Sequence, residues 1–134
     1  MIAVDTSVVV AAFASWHEGH EAATTALAQR PRLVAHVALE SYSVLTRLPP
    51  PHRAPAALVG KFLAARFPGP PLALPGREQM ALVRLAVEAG ITGGAIYDAL
   101  VGATAKHAGA TLLTRDRRAI PVYDLVGVAH ELVR

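Results

Sequence analysis

The chain has 134 residues, of which 53% are hydrophobic and 17% charged, and its formal net charge is +3. That length suits one domain, and the apolar share is enough to fill a core, which excludes a disordered tail. The chain has no cysteine, which excludes disulfides, thiolate metal sites and a cysteine nucleophile together.

Ile2 to Val4 is predicted as a short buried strand, with Thr6 or Ser7 free to cap a helix that begins near Ser7. Residues 19–29, GHEAATTALAQ, are helix-compatible and end at Pro31. Leu33 to Ala35 forms a second candidate strand, and Val37 to Leu48 carries helical spacing through Val37, Tyr42, Leu45 and Leu48. Two proline-rich stretches, PPPHRAP at 49–55 and PGPPLALP at 68–75, then bracket the helix-like ALVGKFLAARF. This region, about 49–75, is predicted as a proline-flanked helical arm projecting from a single domain that spans residues 1–134. Leu72 to Leu74 suits a short strand, and residues 77–89 suit a helix stopped by Gly90. A further helix is predicted from Ala95 to His107, then a buried strand at Thr111 to Leu113. Val122 to Leu125 is assigned to a last strand and Ala129 to Val133 to a final turn or helix. Short apolar strands alternating with helices predict an α/β fold built on a mostly parallel sheet covered on both faces.

In such a sheet, polar groups that follow the strands gather at its carboxyl edge, where ligands bind. Asp5 follows the first strand, Asp116 follows the strand at Thr111, and Glu40 and Asp98 fall early in helices that begin near the same edge. Four carboxylates placed together repel and raise one another's pKa. Hard divalent cations such as Mg²⁺ or Mn²⁺ relieve that conflict, and the chemistry this suits is phosphodiester hydrolysis by metal-activated water. Thr6, Ser7 and Thr114 are candidates to position a phosphate or a metal-bound water. Arg115, Arg117 and Arg118 stand beside Asp116 and are candidates to hold nucleic-acid backbone phosphates, the possible RNA contacts of such a site.

The chain resembles the PIN-domain ribonucleases, and among them the small VapC-type toxins of bacterial toxin–antitoxin pairs. The resemblance rests on IAVDTSVVV with Asp5, HVALESYSVL with Glu40, AIYDALVGATAKHAGA with Asp98 and LLTRDRRA with Asp116. These motifs stand in the family's order from residue 2 to about 128. The resemblance implies a three-layer α/β/α sandwich and a Mg²⁺- or Mn²⁺-dependent endoribonuclease. Asp5, Glu40, Asp98 and Asp116 would be its acidic metal-binding quartet, with Thr6, Ser7 and Thr114 at the supporting hydroxyl positions. It also implies a homodimer without membrane association, and neutralisation by a cognate VapB-like antitoxin. Val59, Phe62, Leu63 and Phe67, at helical spacings in the arm, would be the hydrophobic docking surface. One departure stands out: many relatives carry an acid or His three positions after the last acid, and here that position is Ala119. The departure weakens the case for a second metal.

Each motif has a plainer meaning when taken alone. Asp5 could cap its helix, Glu40 could be a solvated helix residue, and Asp98 and Asp116 could be caps or turn residues. The three arginines could form a solvated basic turn. Trp16 is assigned to the core, and the six histidines show no zinc spacing. Two alternatives to a nuclease are a catalytically defective binding module of the same fold and a phosphoryl-transfer domain with an Asp nucleophile. Ser7 stands where such phosphatases need a second Asp, and no Lys follows Lys106 where a receiver domain needs one. No run of 18 apolar residues escapes a charge or helix breaker. The first apolar run has no basic residues ahead of it and is broken by Asp5, which predicts a cytoplasmic protein without a secretory signal.

Overall fold

The apolar tripeptide Ile2–Val4 becomes strand β1, and Asp5, in extended backbone, leads directly into helix α1 (Thr6–Phe13). The computed structural model describes residues 1–134. The chain continues through α2 (His20–Leu27), β2 (Arg32–Leu33), α3 (Ala35–Thr46), α4 (Ala56–Arg66) and α5 (Gly76–Ala89). It ends with α6 (Ala95–His107), β3 (Thr111–Thr114), α7 (Ile120–Val126) and β4 (His130–Leu132).

All four strands run parallel, in the order β2-β1-β3-β4. Val4 pairs with Leu33 on one side and Leu113 on the other, so the carboxyl ends of β1, β2 and β3 lie level. Ala3, Val4, Leu112 and Leu113 on the two central strands are buried, as a parallel sheet flanked by helices requires. On one side α1 packs against α2 and α3, and α3 against α4; elsewhere α6 packs against both α5 and α7. β1 is followed by a connection to β2, while its other neighbour β3 connects away to β4. Adjacent strands whose connections leave in opposite directions open a crevice at their carboxyl ends. That crevice is where Asp5 and Asp116 emerge.

The end of the chain reverses the predicted order. Val122 to Leu125 lies inside helix α7, and Ala129 to Val133 contains strand β4. Pro121 in the first turn and Gly127 in left-handed backbone just past the last turn delimit that helix, a pairing of signals that outweighs the β propensity of Val-Tyr. β4 escapes an apolar-run criterion because it is a half-buried edge strand, His-Glu-Leu, held by pairing with β3. The strand predicted at Leu72 to Leu74 contracts to a single bridge between Leu72 and Val34, since the flanking prolines cannot donate to a longer ladder.

The arm also differs from expectation. Val59 and Phe67 are buried, Phe62 and Leu63 pack against the core, and Phe62 meets Phe13 with ring centroids 5.3 Å apart. The four apolar residues assigned to docking therefore face inward, because α4 lies down on its neighbours. Trp16, expected in the core, is 49% exposed and lies against His52, with ring centroids 4.0 Å apart and planes tilted by 30°.

Candidate active site

Four separate elements bring Asp5, Glu40, Asp98 and Asp116 to one small cleft of ≈ 40 Å³, completed by Thr6, Ser7, Val101 and Tyr123. Asp5 comes from the end of β1, Glu40 from α3, Asp98 from the first turn of α6 and Asp116 from the turn after β3. No lysine or arginine lines the cleft. A larger hollow of ≈ 340 Å³ lies between α5 and α6, but its lining of Leu74, Leu82, Leu85 and Val126 is mostly apolar and brings no acids together.

Asp5 is the anchor of this arrangement. One carboxylate oxygen caps α1 by accepting from the Ser7 amide at 3.0 Å and the Val8 amide at 3.4 Å, and it also takes the Ser7 hydroxyl. The other oxygen accepts from the Thr114 hydroxyl and from the Tyr123 hydroxyl at 2.8 Å. The cap and the site are thus one group serving two purposes. Burial pushes the Asp5 carboxyl above its ordinary range, opposed by the hydrogen bonds from Ser7, Thr114, Tyr123 and the Val8 amide.

The two hydroxyls also hold the turn after β3. Ser7 Oγ accepts from the Arg115 amide at 2.8 Å, and Thr114 Oγ1 accepts from the Asp116 amide at 3.0 Å. Asp5 is therefore wired to the backbone of Asp116 through one intervening side chain. Asp116 in turn accepts from the Arg118 amide at 2.9 Å. Thr6 Oγ1 is buried without a hydrogen-bond partner and lines the same cleft.

Asp98 carries the electrostatic signature of the site. Burial, followed by the charges of Asp116, Glu40 and Asp5, raises its pKa to about 6, with His36 acting in the opposite sense. His36, one helical turn before Glu40, holds Nε2 3.5 Å from the Glu40 carboxylate. Such a surplus of negative charge over compact oxygen donors, with one hydroxyl left unpaired, fits a hard divalent cation. As the side chains stand, however, no group of three or more acidic or histidine side chains is arranged to hold a metal ion.

The arginines divide. Arg115 turns into the fold: its guanidinium donates to the Val133 carbonyl at 3.0 Å and lies against Gly19, where a Cβ would stand. Arg117 and Arg118 are exposed. Tyr123 is the site residue that sequence reasoning missed, because its segment was assigned to a strand. Its hydroxyl is buried beside Asp5, and burial and that charge raise its pKa. The Pro121-to-Gly127 helix punctuation was the available signal. Tyr123 reaches Asp5 because Gly102 on α6 lets it close in: a Cβ there would sit 3.2 Å from the tyrosine ring.

A family model described as "PIN domain" matches residues 2–125. Over 133 residues the chain is 56% identical to a protein named ribonuclease VapC40 in Mycobacterium tuberculosis strains H37Rv and CDC 1551, covering 99% of both chains. It is also 41% identical over 128 residues to ribonuclease VapC27 of strain H37Rv, covering 95% of this chain and 93% of that one.

Proposed function

The chain belongs to the PIN-domain family, and from that premise we propose that it is a metal-dependent endoribonuclease and the toxin of a toxin–antitoxin pair. The observation that carries this reading is the meeting of four carboxylates from four elements in one cleft without a lysine or arginine among them. Relatives named ribonucleases along nearly the whole chain support it.

Asp5, Asp98 and Asp116 would hold Mg²⁺ or Mn²⁺, with Glu40 completing the set. A cation held there would supply Lewis-acid activation of water and neutralise charge on the phosphate. Asp5 does not move freely: Ser7, Thr114 and Tyr123 hold its carboxylate in place. Glu40, more open to solvent, orients the attacking water and accepts its proton. The water oxygen forms a new bond to phosphorus as one ester P–O bond breaks, and the departing ribose oxygen takes a proton from solvent. Arg117 and Arg118, exposed beside Asp116, would draw in backbone phosphates. The substrate is single-stranded or looped RNA, whose backbone can enter a narrow cleft. A VapB-like antitoxin and homodimer assembly belong to the same proposal, as does a cytoplasmic location; no helix is long and apolar enough to cross a membrane.

The test is cleavage of RNA by purified protein with Mg²⁺ or Mn²⁺, with EDTA and the Asp116→Asn variant as controls. Cutting that survives EDTA, or full activity in Asp116→Asn, sinks the assignment. A second reading, a binding module without catalysis, draws on Ala119 and on the absence of three acids set to grip one ion. RNA binding without any metal-dependent cleavage would favour it. Growth arrest on expression, relieved by co-expressing the small gene beside it, tests the toxin role separately.

A further inference from the structure

Tyr97 immediately precedes Asp98 on α6 and is 52% exposed. Across from it, His36 of α3 lies flat against the tyrosine, with planes 5° apart and ring centroids separated by 5.1 Å. The pair is an offset stack, the arrangement that aromatic quadrupoles favour. Both residues neighbour acids of the cleft: Asp98 is the next residue after Tyr97, and His36 Nε2 lies 3.5 Å from the carboxylate of Glu40, one turn on along the same helix. His36 Nε2 is buried and makes no hydrogen bond, so the imidazole is held there by packing against the tyrosine and by the nearby Glu40 carboxylate.

We propose that the Tyr97–His36 pair is a stacking platform for one unpaired base of a single-stranded RNA whose backbone enters the acidic cleft. This rests on the nuclease reading and adds to it the element that grips the substrate. A ring already covered on one face, and half exposed overall, loses little freedom when a base lands on it, so the contact is preorganised. Every base has a π-face, so the platform accepts any base and favours unpaired over duplex RNA. It also addresses an electrostatic difficulty. A cleft lined by carboxylates repels a polyanion, and an uncharged aromatic contact adds affinity without adding to the repulsion.

The experiment measures binding and cleavage apart. In an Asp116→Asn background, so that the RNA survives, a labelled single-stranded oligouridine is titrated in Mg²⁺ by fluorescence anisotropy. Tyr97→Ala is expected to weaken binding roughly 5- to 100-fold, the range seen when an aromatic is removed from a stacked base, and Tyr97→Phe to restore it. With Tyr97→Trp and Trp16→Phe together, the single tryptophan is expected to be quenched as the oligonucleotide saturates. An oligonucleotide with abasic sites along its length should lose most of the difference between the parent and Tyr97→Ala proteins.

Equal affinity of the Tyr97→Ala and parent proteins overturns the platform, as does a Tyr97→Trp fluorescence that the oligonucleotide leaves unquenched. A Tyr97→Ala penalty that persists on the abasic strand also overturns it, by showing a merely structural role. If the protein binds and quenches in this way yet the wild type cleaves no RNA in Mg²⁺ or Mn²⁺, the platform stands and the nuclease reading falls. If the protein with Asp116 intact cleaves with the same KM before and after Tyr97→Ala, the nuclease reading stands and the platform falls.

Discussion

The Tyr123 hydroxyl donates to Asp5 Oδ2 at 2.8 Å, joining helix α7 to the end of β1 across 118 positions of sequence. This bond connects the last helix to the first corner of the acidic cleft. Tyr123→Phe keeps the ring that fills the core and removes only the donor. It is expected to cost about 1.5–3 kcal/mol, as for hydrogen bonds to charged groups, measurable by urea unfolding. Because that bond lowers the Asp5 pKa, its loss raises it, and the acid limb of the pH–rate profile for RNA cleavage should move to higher pH.

Asp98→Asn should separate stability from activity. In the folded protein the Asp98 pKa is raised from 3.8 to about 6, so the fold favours its protonated form. That contribution is fully present below about pH 3.8 and is lost as pH rises through about 6. In EDTA at pH 7.5 the Asn variant is therefore expected to melt above the wild type, with the gap closing as pH falls below 6. Cleavage should fall by about 10²-fold or more, the scale on which loss of a charge-stabilising group acts. Divalent cation should raise the wild-type Tm, by the equivalent of about 2.7 kcal/mol at 100 times Kd. This gain should fade below pH 6, where protons compete for Asp98, and be smaller in the variant. A Tm in Mg²⁺ and Mn²⁺ that matches the EDTA value at every pH would refute the metal site.

The three arginines should part company on substitution. Arg115→Ala loses the bond to the Val133 carbonyl and is expected to cost about 1 kcal/mol of stability. Arg117→Ala and Arg118→Ala should leave stability within about 0.5 kcal/mol, as surface changes do. Each should instead reduce the slope of log affinity for RNA against log salt by about 1. Melting curves and binding isotherms across a salt series check both halves.

Gly102→Ala should act on the site from behind. The new Cβ would lie 3.2 Å from Tyr123 Cδ1 and 3.3 Å from Val128 Cγ1, tight enough to shift α7 against α6. The expected loss is about 1–3 kcal/mol, as for added methyl groups in packed cores. Cleavage should fall along with the Tyr123→Phe variant, and combining the two substitutions should give less than the sum of their separate losses.

Much of the fold was legible because its signals are local. The helix from Ala95 to His107 and the strand from Ile2 to Val4 match their predicted bounds, since apolar runs and glycine stops mark their ends. Asp5 stood out because a carboxylate between two apolar runs must be capped, paired or ligated to be buried, and it is buried. Glu40, Asp98 and Asp116, only partly buried, stood out by their place after strands or early in helices. The chain's last third was harder. β4 is polar and partly exposed, so only its partner β3 makes it a strand. Val59 and Phe67 carried the spacing of a docking face, but spacing does not say whether a helix projects or lies down.

By itself, the sequence determined which residue types are present and where the chain turns. A short strand ends in Asp5, hydroxyls follow it, and acids recur near the starts of later helices and after the strand at Thr111. Only the tertiary structure decided what those groups do to one another. It closed the cleft with Tyr123, turned Arg115 inward while leaving Arg117 and Arg118 outside, and laid His36 on Tyr97. The reason is physical: periodicity and capping act within a few residues, whereas burial, charge repulsion and hydrogen-bond saturation depend on groups brought together from distant segments. Asp5 shows both at once, a helix cap readable from its neighbours and a buried carboxylate held by residues 109 and 118 positions away.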